Sequence, residues 1–167
     1  MIELLELINK SMEIFKAKDV DDLTDSIREV SINNVFEVMD EFVSYVKDLS
    51  IDWLQKIYQY YQADRKEKMQ DFTPVTLGKL VSKLSQTANE KTVIDMCAGS
   101  GALTIQKWLI NPDAKYICYE FDENVIPYLL FNLQIRNIDA EVYRKDVLSD
   151  DVYDHYKIMK TLANATL

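Results

Sequence analysis

Glycine is scarce in this sequence, with three residues in 167, at positions 78, 99 and 101. None precedes Gly78, so the first part of the chain makes little use of tight backbone turns. The other two lie in one short stretch, VIDMCAGSGALTIQKW, residues 93–108. There an apolar run ends in an acid, and Gly99-Ser100-Gly101 predicts a tight turn that leads into a helix. Such a bend lets a ligand approach bare backbone, as dinucleotides, nucleoside triphosphates and S-adenosylmethionine do on α/β sheets.

Cysteine and long apolar runs are also in short supply. The two cysteines, Cys97 and Cys118, form no metal-ligand pattern with the single His155, so no metal site is predicted. No apolar run approaches the roughly 18 residues of a membrane span, and the N-terminus MIELLELINK is too acidic for a signal peptide. We therefore expect a cytoplasmic protein with reduced thiols and no membrane segment.

Positive charge is the third deficit, because the chain carries a formal net charge of −9. Residues 1–64 hold 14 acidic against 6 basic residues, and only residues 65–91 reverse the balance, with 3 acidic against 6 basic. A protein that binds DNA by itself usually presents a basic face. Strong affinity of this chain alone for nucleic acid is therefore not expected.

The first 64 residues are rich in apolar stripes at helical spacing. These stripes are Ile2, Leu5, Ile8, Met12 and Phe15; Val35, Val38, Phe42, Val43 and Val46; and Trp53, Leu54, Ile57, Tyr58 and Tyr61. Asp21 or Asp22 is a candidate cap for a helix over 22–30, and Ser50 or Asp52 for the helix that contains Trp53. The pattern predicts a helical region that covers a sheet face or packs against a partner.

After about residue 90 the pattern changes to strands alternating with helices. The predicted strands are 92–97, 115–120, 140–146 and 157–163, and the predicted helices between them are 101–110 and 123–136. Strands separated by helices imply right-handed crossovers and a parallel sheet, hence an α/β fold. In such a sheet, ligands bind at the carboxyl ends of the strands.

An acid stands at the end of each of the first three predicted strands: Asp95, Glu120 and Asp146. Glu120 follows Gly99 by 21 residues, close to the roughly 20 expected of an acid that binds ribose hydroxyls. Acids can also end strands by chance. Three of them, with a glycine bend at the first, favour a nucleoside ligand.

The details of the bend favour one nucleoside over the others. The third glycine of the dinucleotide fingerprint is replaced by Thr104, and no lysine follows where a phosphate-binding loop requires it. Asp95 would repel a pyrophosphate but suits the ammonium group of a methionine moiety, directly or through water. The bend therefore favours S-adenosylmethionine.

A second pattern lies upstream, in QDFTPVTLGKLVSKL, residues 70–84. Thr73 is a good N-cap, and Pro74 suits the first helical position. An apolar stripe follows, made of Val75, Leu80, Val81 and Leu84. Taken alone, this pattern predicts an ordinary capped helix.

Taken together, these motifs resemble the adenine-N6 DNA methyltransferases, and most closely the modification subunits of type I restriction systems. The likeness consists of Phe-Thr-Pro, then D-x-C-x-G-S-G, then an acid after the second strand and Y-R-K-D at the third, over roughly residues 68–164. It implies a Rossmann-like S-adenosylmethionine-dependent methyltransferase fold over 68–167, with a truncated parallel sheet, beside an N-terminal helical region over 1–67.

The resemblance also implies a role for each matching residue. Phe72, Thr73 and Pro74 would fold over the cofactor. Asp95, Cys97, Gly99, Ser100 and Gly101 would contact it from the bend. Glu120 would bind the ribose, Phe121 would lie beside the adenine, Asp146 would accept a hydrogen bond from the adenine amine, and Val147 would pack on the ring.

Two departures from the family pattern stand out. Met96 replaces the usual proline after the aspartate, a mild change. The larger one concerns [DNS]-P-P-[YF], whose polar side chain and prolyl carbonyl accept hydrogen bonds from the flipped adenine while the aromatic ring stacks on it. No Pro-Pro occurs in this chain, and only Asn164, in LANATL at 162–167, stands at the corresponding place. We expect either a shortened relative that keeps the cofactor half or a part of a larger assembly.

Three functions follow from these patterns. The first is an adenine-N6 DNA methyltransferase that is completed by a partner subunit or by self-association. It would reach DNA through a partner subunit. The second is a non-catalytic S-adenosylmethionine-binding module that regulates or assembles with another protein. The third is methylation of RNA or of a small molecule, which the Phe-Thr-Pro segment disfavours. A homo-oligomer is expected, because a short parallel sheet leaves an open edge.

Overall fold

The computed structural model describes residues 2–61 and 73–161. Within these ranges lie seven helices and four strands. They are α1 (Leu4–Phe15), α2 (Val20–Asn33), α3 (Phe36–Val46), α4 (Trp53–Tyr61), α5 (Val75–Leu84), β1 (Thr92–Asp95), α6 (Ala102–Trp108), β2 (Lys115–Glu120), α7 (Ile126–Gln134), β3 (Ala140–Lys145) and β4 (Val152–Ile158). The predicted α/β class is confirmed. The boundary predicted at residue 67 falls between the described ranges and stays a prediction.

The strands form one sheet in the order β1-β2-β3-β4. The first three are parallel, with Asp95 beside Cys118 and Glu120 beside Arg144. Strand β4 is antiparallel to β3. The prediction of a fully parallel sheet, with a fourth strand at 157–163, is therefore wrong.

The turn after β3 explains this difference. Only residues 146–151 separate β3 from β4, too few for the helical crossover that a parallel strand requires. The side chain of Asp146 accepts a hydrogen bond from the amide of Leu148 at 2.8 Å, and Asp150 adopts a left-handed conformation with φ of 69°. Both features turn the chain back on itself, so the next strand begins at Val152.

Helix α7 forms the centre of the packing. One side of it contacts the apolar residues of β2 and β3, including Tyr116, Cys118 and Val142. The other side, with Tyr128 and Phe131, belongs to a core built from α1 to α4. The N-terminal helices therefore cover α7, which in turn covers the sheet, and this explains why α7 is buried on nearly every side.

The helix caps agree only partly with the predictions. Helix α2 begins earlier than predicted, and Asp19 rather than Asp21 or Asp22 caps it, accepting from the amide of Asp22 at 2.9 Å. Asp52 caps α4 as predicted, accepting from the amide of Gln55 at 2.9 Å.

Helix α5 begins one residue later than Thr73-Pro74 predicted. Pro74 occupies the N-cap position in extended conformation, with no side-chain cap, and its carbonyl accepts from the amide of Gly78 at 3.0 Å. Gly78 faces α6, where an added Cβ would lie 3.0 Å from the Cγ of Gln106. The apolar stripe is turned away and exposed, with Leu80 and Leu84 as members.

None of the described helices has the length and apolar character that crossing a bilayer requires.

Candidate functional site

The glycine bend follows β1 directly, as predicted. Gly99 and Gly101 have φ angles of +55° and +99°, which side chains rarely allow. A Cβ on Gly101 would lie 3.1 Å from the Cδ1 of Leu129, whereas one on Gly99 would meet no atom within 4 Å. Gly101 therefore serves the packing of the bend on α7. Gly99 leaves its backbone open to space outside the protein, where a ligand can approach.

Glu120, at the end of β2, is bound to this bend. One of its carboxylate oxygens accepts from the amide of Gly99 at 2.8 Å, and the other accepts from the amide of Asp122 at 2.7 Å. Burial raises the pKa of Glu120. A carboxylate has about four acceptor positions, so these two bonds leave acceptor capacity for a sugar hydroxyl.

Asp95, at the end of β1, directly precedes the bend. The hydroxyl of Thr104 donates to its carboxylate at 2.7 Å. Burial raises the pKa of Asp95, while the hydrogen bonds from Thr104 and from the amide of Cys97 act in the opposite direction. The side chain of Cys97 is itself exposed. The bend therefore directly follows the strand that ends in Asp95 and is hydrogen-bonded to Glu120 at the end of the neighbouring parallel strand.

Ser100, between the two glycines, is turned into the protein. The residue is 1% exposed, and its hydroxyl donates to the carboxylate of Asp52 at 2.6 Å. The side-chain amide of Asn132 donates both to Asp52 and to the carbonyl of Ser100, at 2.9 Å each. Ser100 therefore supports the bend from inside the protein, and its predicted contact with the cofactor stays a prediction.

The buried charge of Asp52 has an opposite charge nearby. Burial raises the pKa of Asp52, whereas the hydrogen bond from Ser100 and the positive charge of Arg136 lower it. Burial lowers the pKa of Arg136 to about 10, which leaves the guanidinium charged at neutral pH. Sequence reasoning found Asp52 only as a helix cap and missed Asn132 and Arg136, because no local pattern marks them as partners of the bend.

The residue after the second acid borders a groove. Phe121 is 58% exposed, and its ring centroid lies 6.1 Å from that of Tyr153 on β4. The groove has a volume of about 380 Å³ and is lined by Phe121, Asp122, Glu123, Asn124, Arg144 and Tyr153. The guanidinium of Arg144 lies 4.8 Å from the centre of the Tyr153 ring. An exposed aromatic surface therefore lies next to the end of β2.

The third acid, Asp146, directly follows the end of β3 and is partly buried, as is Val147. One oxygen of Asp146 accepts from the amide of Leu148 at 2.8 Å and from that of Ser149 at 3.4 Å. Asp146 therefore shapes the turn to β4. Its predicted hydrogen bond to an adenine amine stays a prediction.

The structure shows no hydrogen bond between the remaining predicted site residues and the glycine bend in the part of the chain that it describes. Thr73 and Pro74 precede α5, which contacts the helix that follows the bend. Phe72 and Asn164 lie outside the described residues. Over 2–61 and 73–161, the acidic, cysteine and histidine side chains form no cluster that could hold a metal ion.

The sequence motifs and this geometry agree with a known family. The family model for N-6 DNA methylases matches residues 48–165, more than half of the chain. The chain belongs to the N-6 DNA methylase family. Neither a search of curated proteins nor a search of solved structures gives a significant match. The resemblance to adenine-N6 DNA methyltransferases and the methyltransferase fold are thereby confirmed, while the closer likeness to type I subunits stays a prediction.

The extent of the match also bears on the predicted division of the chain into two regions. It begins at residue 48, upstream of the predicted boundary at 67. The matched region therefore includes α4 and its cap Asp52, the residue that contacts the glycine bend.

Proposed function

We propose that this chain binds S-adenosylmethionine and forms the cofactor half of a DNA methyltransferase that acts on the N6 amine of adenine. One observation carries the proposal. The open backbone of Gly99 follows Asp95 at the end of β1 and donates a hydrogen bond to Glu120 at the end of the adjacent parallel strand, in a chain of the N-6 DNA methylase family.

The chemistry of the bend suits S-adenosylmethionine better than a phosphate ligand. Two carboxylates favour a ligand with positive charge and hydroxyl groups, and they repel a pyrophosphate. Glu120 would accept from the ribose hydroxyls, and Asp95 would accept from the ammonium group, directly or through water. When bound, S-adenosylmethionine supplies the methyl group. Phe121 offers an exposed aromatic face for a purine ring.

The acceptor side of the reaction depends on a partner. No Pro-Pro occurs in the chain, and Asn164 is the one candidate hydrogen-bond acceptor for the adenine amine. We propose that a partner subunit supplies the other acceptor and the stacking ring, and that it also brings the DNA. Because its motifs resemble those of type I modification subunits, we assign the protein to a cytoplasmic restriction-modification system.

A second candidate function is a regulatory or assembly role without methyl transfer, and two observations favour it. The absent Pro-Pro and the net charge of −9 both suit a non-catalytic module that binds S-adenosylmethionine and regulates or assembles another protein. The two proposals share the cofactor site and differ in methyl transfer.

Calorimetric titration of the purified chain with S-adenosylmethionine tests the shared part. We expect heat of binding with S-adenosylmethionine and none with NADH or ATP. Asp95→Lys and Gly99→Val should abolish binding, whereas Asp21→Lys, which changes charge on the exposed surface of α2, should leave it unchanged. No heat at millimolar S-adenosylmethionine would contradict the cofactor proposal. Transfer of a labelled methyl group to DNA, with and without cell extract, then separates the enzyme from the regulatory module.

A further inference from the structure

Helix α4 contacts the glycine bend through its cap. Asp52 accepts from the amide of Gln55 with one carboxylate oxygen and from the hydroxyl of Ser100 with the other, at 2.9 Å and 2.6 Å. The first bond starts the helix, and the second reaches a residue 48 positions away. One carboxylate therefore joins the start of α4 to the centre of the bend.

The same helix also reaches the loop after β2. The hydroxyl of Tyr58 donates to the carboxylate of Asp122 at 3.3 Å. The amide of Asp122 in turn donates to Glu120 at 2.7 Å, and Glu120 accepts from the amide of Gly99. The cap of α4 and a side chain within the helix thus contact both loops that border the proposed cofactor site.

The segment before α4 is held in place by the sheet part of the protein. Arg136 donates to the carbonyls of Leu49 and Ile51 at 2.8 Å each. The side-chain amide of Gln106 donates to the carbonyl of Ser50 at 2.8 Å. Because three successive carbonyls are bound in this way, the position of the Asp52 carboxylate is fixed relative to the sheet.

Capping alone does not account for this arrangement. Asp19 caps α2 through the same kind of bond, with its carboxylate accepting from the amide three residues on at 2.9 Å. Asp19 is exposed, as an ordinary cap is. Asp52 is 5% exposed, and burying a charge is costly unless it gains further partners. Its additional contacts lead to the bend.

We propose that Asp52 is a positioning residue, which holds the glycine bend in its ligand-binding conformation through Ser100. That the bend binds a ligand, S-adenosylmethionine, rests on the proposed function, whereas the effect of Asp52 on the conformation of the bend does not. The N-terminal helices then have a direct role at the site: a change in the seating of α4 alters the cofactor loops.

Two measurements test this role. The first is hydrogen exchange of the Gly99 and Gly101 amides in the ligand-free protein, with the amide of Val142 in the sheet as the reference for global unfolding. The second is the Kd for S-adenosylmethionine. In Asp52→Ala and Ser100→Ala we expect both bend amides to exchange at least tenfold faster and the Kd to rise at least tenfold. Asp52→Asn, which keeps an acceptor oxygen, should recover part of both losses.

The control is Asp19→Ala, which removes the matched cap on α2 and should leave both measurements within twofold of the wild type. If the Asp52 and Ser100 variants lower only the melting temperature, Asp52 is a structural cap and the proposal is wrong. Should Asp52→Ala fail to fold, Ser100→Ala, which removes a single hydroxyl, decides the question. If the wild type does not bind S-adenosylmethionine, the proposed function fails, and the amide exchange still tests the positioning role.

Discussion

Thr104 donates a hydrogen bond from its hydroxyl to the carboxylate of Asp95, with 2.7 Å between Oγ1 and Oδ2. Thr104 stands where the dinucleotide fingerprint has its third glycine, a residue that there permits close packing of helix and strand. In this chain a side chain fills that place and fixes the acid. The residue that departs from the phosphate-binding pattern is thus the one that holds the carboxylate of Asp95 in place.

The burial of Asp95 predicts how the stability of the protein depends on pH. Burial raises the pKa of Asp95 above its usual value of 3.8. A carboxyl with a raised pKa favours the folded state at pH values below its unfolded pKa, and that contribution is lost as the pH rises through the folded pKa. At pH 7 the charged form therefore lowers the free energy of unfolding. Asp95→Asn should raise the melting temperature at pH 7, and the difference should disappear as the pH falls below about 4.

Thermal unfolding from pH 4 to pH 7 checks this prediction, and calorimetry should show that the same variant binds S-adenosylmethionine more weakly. Higher stability together with weaker ligand binding is expected when a residue is kept for function at a cost in stability. Asp40→Asn, at an exposed acid in the middle of α3, should change neither property. A lower melting temperature of Asp95→Asn at pH 7 would show that hydrogen bonds to Asp95 outweigh the cost of its burial.

The two glycines of the bend should tolerate substitution differently. A left-handed conformation costs a residue with a side chain roughly 1–2 kcal/mol, and this cost applies to both positions. Gly101→Ala also places its Cβ 3.1 Å from Leu129, whereas Gly99→Ala meets no atom within 4 Å. We expect Gly99→Ala to lower the free energy of unfolding by about 1 kcal/mol and Gly101→Ala to lower it further.

Urea denaturation measures both losses. Leu129→Ala is itself destabilising, because Leu129 is buried in the core. Gly101→Ala should nevertheless cost less in the Leu129→Ala background than in the wild type, because the close contact is gone. This coupling appears in a double-mutant cycle. Equal losses for the two glycine variants, with no coupling to Leu129, would contradict the packing role assigned to Gly101.

Local sequence patterns predicted the elements at the site but not the contacts between distant segments. The acids at 95 and 120 and the glycine bend were predictable because strand ends and tight turns are marked by residues close together in sequence. The Asp52–Ser100 bond spans 48 residues, and no local pattern encodes such a pairing. The reversal at β4 depends on a side chain that binds the backbone of its own turn, and this competes with the crossover that the alternation of strands and helices predicts.

The exposed face of α5 predicts self-association. Its exposed apolar residues are Val75, Leu77, Leu80, Val81 and Leu84. In the described part of the sheet, β1 is an edge strand, and Ile94 on it is 55% exposed. Unpaired strand edges and apolar patches both favour association. At micromolar concentration, light scattering should give a mass greater than one chain.

Substitution of single exposed leucines locates the interface. Leu80→Glu and Leu84→Glu should lower the mass toward that of one chain, because they place a charge on the apolar face. Leu5→Glu, at a residue of α1 that is 67% exposed, should leave the mass unchanged. A wild-type mass of one chain at micromolar concentration would contradict the predicted homo-oligomer.

The chemistry of the acceptor predicts that the isolated chain methylates DNA poorly or not at all. Attack by the adenine amine requires that the amine be held in line with its lone pair available, and such positioning can lower a barrier by several kcal/mol. After Asn164, the residues Ala165, Thr166 and Leu167 stand where the family motif has two prolines and an aromatic residue. The net charge of −9 also removes the attraction that would bring DNA to the site.

Labelled methyl transfer to mixed-sequence DNA measures this directly, first with the purified chain and then with cell extract added. We expect transfer only in the presence of a second protein, and we expect Asp95→Lys to abolish it there because the cofactor site lies in this chain. Asn164→Ala tests the candidate hydrogen-bond acceptor for the adenine amine. Its control is Asn9→Ala, which changes an exposed asparagine on α1. Ordinary turnover by the purified chain, lost in Asn164→Ala and retained in Asn9→Ala, would show that Asn164 alone positions the amine and that no partner is needed.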